Sequence, residues 1–533
     1  MKNRKILKRI IIPILIIVFC INFASISQAA LYAPANIKVG LFFDTTAKGS
    51  YVLSSPFKFS LFINTGLEEI EVANVGRPVR VEKDSSSNGY HIVANIGFLT
   101  YEEAFLYTEE LLLNGISSFV VFKQQDWWQV WIGQYSSEES MTQAVAEVYA
   151  GYADIFTEIV KPSDSRIIIK ERDSDKILFG TASKSGTITA RTWEGNSPSQ
   201  NYVYLENKAY RGNLNFKFIK SNELSAINEL PLEEYVYGVV PLEIGVTVHD
   251  EALNAQAIVA RTYALCQNKH ADYGINVCNT TCCQVYGGYS AESRRTNEAT
   301  DRTTGIVVTY KGVIVTPYYF SSSGGYTENS ENVWVSSVPY LKAVVDDYDI
   351  NRTWTYTYSL TEMTNHIRSL GHDIGEVKKV VVDSNSSTGR VLAMTISGTR
   401  GSVTFLKSNV REAFPNSLPS QLFILGNQTT VKVMDAFGNI VTQVLDRSSI
   451  RGLYATSKLT SSSVNIQKNG SVERITLISS GKANEIVVSG RGSGHGVGMA
   501  QWGAINMAED GYTYDRIIKY FYTGVELETI TLR

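Results

Sequence analysis

A chain of 533 residues with 44% hydrophobic and 19% charged residues is long enough for two or three domains with buried cores. Its formal net charge of −3 excludes the basic excess on which a DNA or RNA binder depends. Aromatics at 11%, including 30 tyrosines, suit a strand-rich extracytoplasmic protein with sugar-binding surfaces.

Residues 1–30 read as a targeting segment. Lys2, Arg4, Lys5, Lys8 and Arg9 form a basic start, Ile10 to Cys20 is apolar around Pro13, and Ser27-Gln28-Ala29 is a small-x-small cleavage site before Ala30. An uncleaved N-terminal membrane anchor is the alternative, but the run is short against a span of about 20 residues, which favours a cleaved signal peptide. Phe19 before Cys20 is too bulky for a lipoprotein signal. Cleavage leaves 44 basic against 52 acidic residues, a net charge of −8, so the expectation is an exported, mildly acidic protein.

Residues 31–86 alternate apolar and polar (NIKVGLFFD, SYVLSS, FKFSLFIN, EEIEVANV, PVRVE) and predict strands with turns near 45–49 and 64–66. Residues 88–163 change pattern. A strand (YHIVANIGF) precedes a helix capped by Thr100 with Glu103 three residues on, and Gly115 lies past its end. Strands FVVFKQQ and WWQVWIGQY, a second helix capped at Ser136 or Ser137, and strand FTEIVKP complete a βαββαβ, ferredoxin-like order. The piece WQVWIGQY resembles SPOR domains, which bind glycan strands stripped of peptide stems. The resemblance implies that Trp127, Trp128, Trp131 and Tyr135 contact glycan; the competing reading makes them partly core. Alternation sets Trp127 and Trp131 on one face and Trp128 on the other.

Strands return over 164–222, and this SPOR-like module is expected to interrupt the domain formed by 31–86 and 164–533; a plain N-terminal tandem is the alternative. Then comes NELPLEEYVYGVVPLEIG, followed by EALNAQAIVARTYAL. Pro231 suits a helix start, Pro241 breaks that helix, and Glu243 follows the break among Val239, Val240, Leu242 and Ile244. A carboxyl group in apolar surroundings tends to hold its proton. On spacing alone, Glu243 is a loop carboxylate paired with Arg261 of the next helix.

These two runs resemble the opening of the SpoIID/LytB family, whose active members are lytic transglycosylases that cut peptidoglycan glycan strands. The resemblance puts the catalytic glutamate on Glu243 and the family's helix arginine, expected to position the sugar, on Arg261. Downstream, Cys266, Cys278, Cys282 and Cys283 fall within 18 residues, a clustering that points to a local metal site or local crosslink. Cys278 and Cys283 match a C-x-x-x-x-C-Q-V-Y-x-G piece found in a subset of the family, some of which bind zinc, with Gln284 and Tyr286 in register as expected substrate contacts. His270 is the nearest imidazole, and thiolate and imidazole ligands suit Zn²⁺. A Cys278–Cys283 disulfide and free buried thiols remain open, and Cys282 could replace or supplement a ligand.

The stretch SSSGGYTE matches the family's next piece, implying that Ser321, Ser322, Ser323, Gly324, Gly325, Tyr326 and Glu328 meet the sugar; the bland alternative is a glycine hairpin turn. The close, GRGSGHGVGMAQWGA, is the family's second signature and implies His495, Gln501 and Trp502 in the groove, against a plain glycine-rich loop with a buried tryptophan. Residues 341–430 read as scaffold, and 431–488 as strands without assigned function.

The expected fold is therefore α+β: a strand-rich SpoIID-like catalytic domain with short helices, plus the SPOR-like domain. The expected activity is cleavage of the MurNAc–GlcNAc bond of stem-free glycan, in the cell wall or spore envelope, by Glu243 acting as acid and then base, with His495 or Tyr326 assisting. The alternative from the same family is a LytB-like protein that binds glycan and stimulates a wall amidase. A zinc hydrolase is disfavoured, since thiolate-rich sites are closed and no His-Glu-x-x-His helix occurs.

Overall fold

The computed structural model describes residues 31–84, 89–124, 127–148, 156–184, 186–193, 201–350, 352–426 and 484–533, and the backbone of short hairpins between 430 and 476. The targeting segment lies outside the described residues. Among them, no helix is long and apolar enough to cross a membrane. The fold is mixed α+β and rich in strands.

Strands from 31–86 and from 164–231 interleave in one seven-stranded sheet. Asn36–Phe42 lies beside Leu224–Pro231, and Phe59–Asn64 beside Thr187–Thr192, both antiparallel. A second, ten-stranded sheet begins with the βαββαβ stretch. Its strands stand in the order Phe156–Val160, Tyr90–Phe98, Trp127–Tyr135, Ser118–Gln124, which is fourth, first, third, second. Helix α1 (Tyr101–Leu113) and α2 (Glu138–Val148) connect them. The caps fall where the sequence puts them: Thr100 accepts from the N–H of Glu103 at 3.2 Å, Ser137 from that of Ser140 at 3.1 Å, and Gly115 takes a left-handed φ of 78°. The sheet then continues, because Ser118–Gln124 runs parallel to Ile177–Thr181. The chain enters the βαββαβ stretch from Val79–Asp84 and comes out of it into Ser163–Glu171, an antiparallel neighbour in the same sheet.

Short helices follow: α3 (Leu232–Tyr237), α4 (Val240–Glu243), α5 (Asp250–Cys266) and α6 (Arg294–Arg302). Pro231 ends a strand and caps α3, one position before the helical start expected of it. Every residue of α5 from Ala252 to Ala264 is buried, five of them alanines whose small side chains let neighbours close in. The α7 turn (Ser330–Val333) precedes a unit with its own core, which includes Met363, Ile367, Met394, Ile396 and Phe414. That unit carries α8 (Leu360–Ser369) and α9 (Asn409–Glu412). The chain then returns to α10 (Gln501–Glu509) and α11 (Tyr514–Phe521), both packed on α5. The catalytic candidates thus hang from a central buried helix.

Candidate functional site

Pro241 sits in the first turn of α4, and Glu243 is that turn's last residue, half-buried. The main-chain N–H of Val285 donates to its Oε1 at 2.7 Å. The Tyr319 hydroxyl and the Gln501 amide face the same carboxyl and, like Val285, favour its charged form. Burial outweighs them, so the Glu243 pKa is raised above the usual carboxylate range.

Tyr319 is oriented from behind. Its oxygen accepts from Gln284 Nε2 at 3.0 Å, and Gln284 Oε1 accepts from the Tyr235 hydroxyl at 2.9 Å. Gln284 Nε2 also donates to the Ala260 carbonyl at 3.3 Å. With its acceptor side engaged, the Tyr319 proton is free to point at Glu243. Gln501 Nε2 lies 3.4 Å from Gln256 Oε1 on α5.

The two glycine-rich stretches are zipped together beside this carboxyl. Tyr319–Phe320 pairs in parallel with Met499–Ala500, and Ser322 and Ser493 exchange main-chain hydrogen bonds at 3.0 and 2.8 Å. Trp502 N–H reaches the Ser321 carbonyl at 3.0 Å, and Glu328 N–H the Gly496 carbonyl at 2.7 Å. At Gly498, with φ of 81°, a Cβ would stand 2.0 Å from the Tyr318 carbonyl oxygen. This glycine serves loop-on-loop packing rather than approach of a sugar.

Several expected ligand-contacting residues turn inward. Arg261 is fully buried and pairs with Glu233, at 2.6 Å from Nη2, not with Glu243. Its Nη1 and Nη2 also donate to the Ile306 and Thr300 carbonyls, each at 3.2 Å, which leaves it no reach into a cleft. The Tyr286 hydroxyl donates to Asn228 Oδ1 at 2.7 Å. Ser322 Oγ and the Gly324 N–H both donate to Asp349. Buried Glu328 accepts from the Asn329 N–H, the Asn332 amide and the hydroxyls of Ser386 and Thr388. Ser323 and Gly324 are buried too, while Ser321 and Gly325 are half-buried.

His495 packs against Tyr318, Phe320 and Trp334 and accepts the Val497 N–H at 3.1 Å. Desolvation first, then Arg411 and Arg390, hold it down to about 3, so it is neutral at physiological pH and cannot serve as a cationic acid. The surface beside Glu243 is left to Leu242, Val246 and Trp502, with Tyr326 exposed on the neighbouring loop. Sequence reasoning passed over Tyr319. Its signal was a tyrosine two places before the serine-glycine loop, where a strand residue faces either core or site.

The aromatic row at 127–135 also divides. Trp127 is 45% exposed, but Trp128 and Trp131 are 3% and 2% exposed. Trp131 lies stacked on His91 with the Arg166 guanidinium 5.1 Å from its ring, and Trp128 packs on Phe122 and Tyr101. Those two tryptophans are core, so a stacking surface on this strand reduces to Trp127 and half-buried Tyr135.

Cysteine chemistry gathers at one point. His270 and Cys278, Cys282 and Cys283 bring one ligand atom each to within 4.8 Å of one another, and no disulfide joins the four free cysteines, Cys266 included. Cys282, which could replace or supplement a ligand, joins the other three, with its Sγ 3.8 Å from His270 Nε2. Three thiols and one imidazole this close fit a tetrahedral Zn²⁺. The interaction with Cys283, helped by Thr280 and His270, holds the Cys278 thiol down to about 4, and the same interaction pushes Cys283 up. Val277–Cys278 runs parallel to Asn36–Phe42, and Cys283 immediately precedes Gln284 and Val285. The cluster therefore sits at the start of the loop that supplies a donor to Glu243.

The family model described as "Stage II sporulation protein" (SpoIID) matches residues 220–310, which hold Glu243, Arg261, the cysteines and Val285. Residues 220–310 therefore carry the SpoIID family's segment. A second model, a "Domain of unknown function (DUF8618)", matches residues 346–437, much of the unit with the separate core. The chain is 34% identical over 341 residues to a protein of Bacillus subtilis named Amidase enhancer, a match that covers 62% of this chain and 46% of that protein. It therefore spans under half of that relative. It is 29% identical over 323 residues to the Stage II sporulation protein D of Bacillus subtilis, covering 57% of this chain and 75% of that protein. An uncharacterized protein of Brachyspira hyodysenteriae is 29% identical over 335 residues. The two glycine-rich stretches lie beyond the family-model match, yet they fold against the glutamate within it.

Proposed function

We propose that this protein is a peptidoglycan lytic transglycosylase with Glu243 as its acid and base. The observation that carries the proposal is the seat of Glu243: a half-buried carboxyl with raised pKa, met by the Val285 N–H, Tyr319 and Gln501. Protonated Glu243 gives its proton to the glycosidic oxygen as the C1–O bond breaks. The muramyl 6-hydroxyl closes on C1, and the carboxylate takes that hydroxyl's proton, restoring the acid. No water enters, and the attacking oxygen belongs to the substrate, so proximity stands in for the second carboxylate of ordinary glycosidases. The donors around Glu243 steady the carboxylate between the two transfers. Leu242, Val246 and Trp502 offer apolar contact to the sugar, with Tyr326 and Ser321 nearby.

Residues 88–163 are proposed as a SPOR-like module that holds stem-free glycan, with contact through Trp127 and Tyr135. The module interrupts a catalytic unit formed by 31–86 and 164–533. An exported protein, its first 30 residues a signal peptide or an anchor, acting in sporulation or wall turnover, fits this chemistry. His270, Cys278, Cys282 and Cys283 are proposed to hold a structural zinc, which when bound would fix the loop 277–288; none of the proton transfers involves it.

A second reading has its own support, the relative named Amidase enhancer: the protein binds glycan and stimulates a wall amidase without cutting. Incubation of the purified protein with stem-free glycan, followed by mass spectrometry, separates the two. The proposal expects anhydro-ended fragments from the wild type and none from Glu243→Gln, which still binds glycan. Intact glycan with the wild type, together with stimulation of an amidase, would replace the enzyme reading with the second.

A further inference from the structure

Helix α1 is apolar on two faces. Ala104, Thr108 and Leu111 point into the sheet, as an amphipathic helix requires. Phe105, Leu106, Leu112 and Leu113 point outward, with exposures of 45, 67, 54 and 89%. Four large apolar side chains on the solvent side of one helix, among its glutamates, form an exposed patch of the kind that marks an interaction site. Leu67 and Leu99, both more than 70% exposed, extend the patch to either side. Between α1 and the Glu69–Val75 edge strand runs a cleft of about 640 Å³ whose lining includes Ile70, Phe105, Leu106, Glu68, Glu71 and Glu102. The Tyr101 hydroxyl braces its floor, donating to the Val72 carbonyl at 2.9 Å.

The charge around this patch has one sign. No lysine or arginine occurs between Lys83 and Lys123, or between Lys58 and Arg77. Glu69 is balanced by Arg191 at 2.8 Å. Among the described residues no cation pairs with Glu68, Glu102, Glu109 or Glu110. We infer that this face docks a protein segment that carries two or three large apolar side chains flanked by lysines or arginines. The apolar groups fill the cleft beside Phe105 and Leu106, and the cations meet the glutamate rim. A second copy of the chain would bring like charge against like charge, and an anionic membrane would be repelled. Aliphatic side chains ringed by carboxylates are also unlike the flat aromatic platforms on which sugars stack. The face is remote in sequence from Glu243, so the inference stands apart from the transglycosylase reading and goes beyond it.

The test uses the full mature chain and a fluorescein-labelled amphipathic lysine/leucine peptide, with a lysine/alanine peptide of equal charge as control, read by anisotropy. The lysine/leucine peptide should bind saturably, and Leu106→Glu and Glu109→Lys should each weaken it at least about tenfold, consistent with a lost apolar anchor and a like-charge contact. Leu106 and Glu109 are exposed, so an unchanged melting curve should accompany the loss. Equal binding of the two peptides, or indifference to Leu106→Glu, overturns the inference. So does Leu106-dependent sedimentation of the protein with phosphatidylcholine vesicles, which would make the face a lipid contact instead.

Discussion

The main-chain N–H of Val285 meets Glu243 Oε1 at 2.7 Å, a hydrogen bond that spans 42 residues of sequence. Two opposed influences act on that carboxyl. Desolvation favours the protonated acid, while the donors favour the carboxylate, and desolvation is the larger. A group that must first give a proton and then take one back is served by such a balance, because neither form is locked in place.

Tyr319→Phe tips the balance. The hydroxyl favours the charged form of Glu243, so its removal should raise the Glu243 pKa further and carry the alkaline limb of the pH–rate profile upward. The returning carboxylate loses a donor worth about 1.5–3 kcal/mol, so kcat should fall by about tenfold to a hundredfold with KM little changed. A profile that stays in place while kcat falls would reduce Tyr319 to packing.

Arg261 is expected to act on stability. Arg261→Met leaves half-buried Glu233 without its cation and empties a fully buried arginine site, and should cost about 3 kcal/mol in denaturant unfolding. Arg261→Met with Glu233→Gln should recover part of that, since the stranded charge is gone. If the single variant instead keeps wild-type stability and loses only glycan affinity, the arginine reaches substrate after all.

Strand alternation and caps made much of the fold legible: Thr100 and Glu103 bracket the start of α1, and Ile517, Ile518 and Phe521 form the buried face of α11 as their spacing requires. Motifs named the loops that meet beside Glu243 but not the direction of their side chains. Polar residues of a motif are recurrent both where a ligand binds and where one loop must be held on another. Glu328 and Ser322 do the second, their partners lying 58 and 27 residues away in Ser386 and Asp349. The buried pair of Trp128 and Trp131 illustrates the same limit, since strand period places them on opposite faces without saying that both faces are covered.

The cysteine set predicts a metal content. Protein purified without chelator should carry about one zinc per chain, and Cys282→Ser should lower it as strongly as Cys278→Ser, because both thiols belong to one cluster. Stripping the metal should lower the melting temperature and expose the 277–288 backbone to hydrogen exchange. Full retention of zinc in Cys282→Ser would return the site to the three ligands His270, Cys278 and Cys283; a Cys278–Cys283 disulfide in the purified protein would remove it.

Asp346 predicts a pH dependence of stability that no motif announces. Its side chain is 1% exposed and lies against the first turn of α10, where a Cβ on Gly503 would stand 2.6 Å from Oδ1. Neither oxygen makes a full hydrogen bond; the Ser323 hydroxyl and the Tyr348 N–H favour the carboxylate only weakly. Burial, aided by Asp349, raises Asp346 to about 6. The native state therefore holds a proton that the unfolded chain releases near pH 4. The stability tied to that proton is complete below the unfolded value and is lost as pH rises through the folded one. Relative to Asp346→Asn, which has no proton to lose, the wild type should weaken by about 1–2 kcal/mol between pH 5 and 7 and then level off. Urea titrations of both proteins at pH 5, 6, 7 and 8 would read this directly. A constant difference across the series would mean that Asp346 is ionised throughout and is neutralised by a partner, such as a bound cation, that its burial alone does not supply.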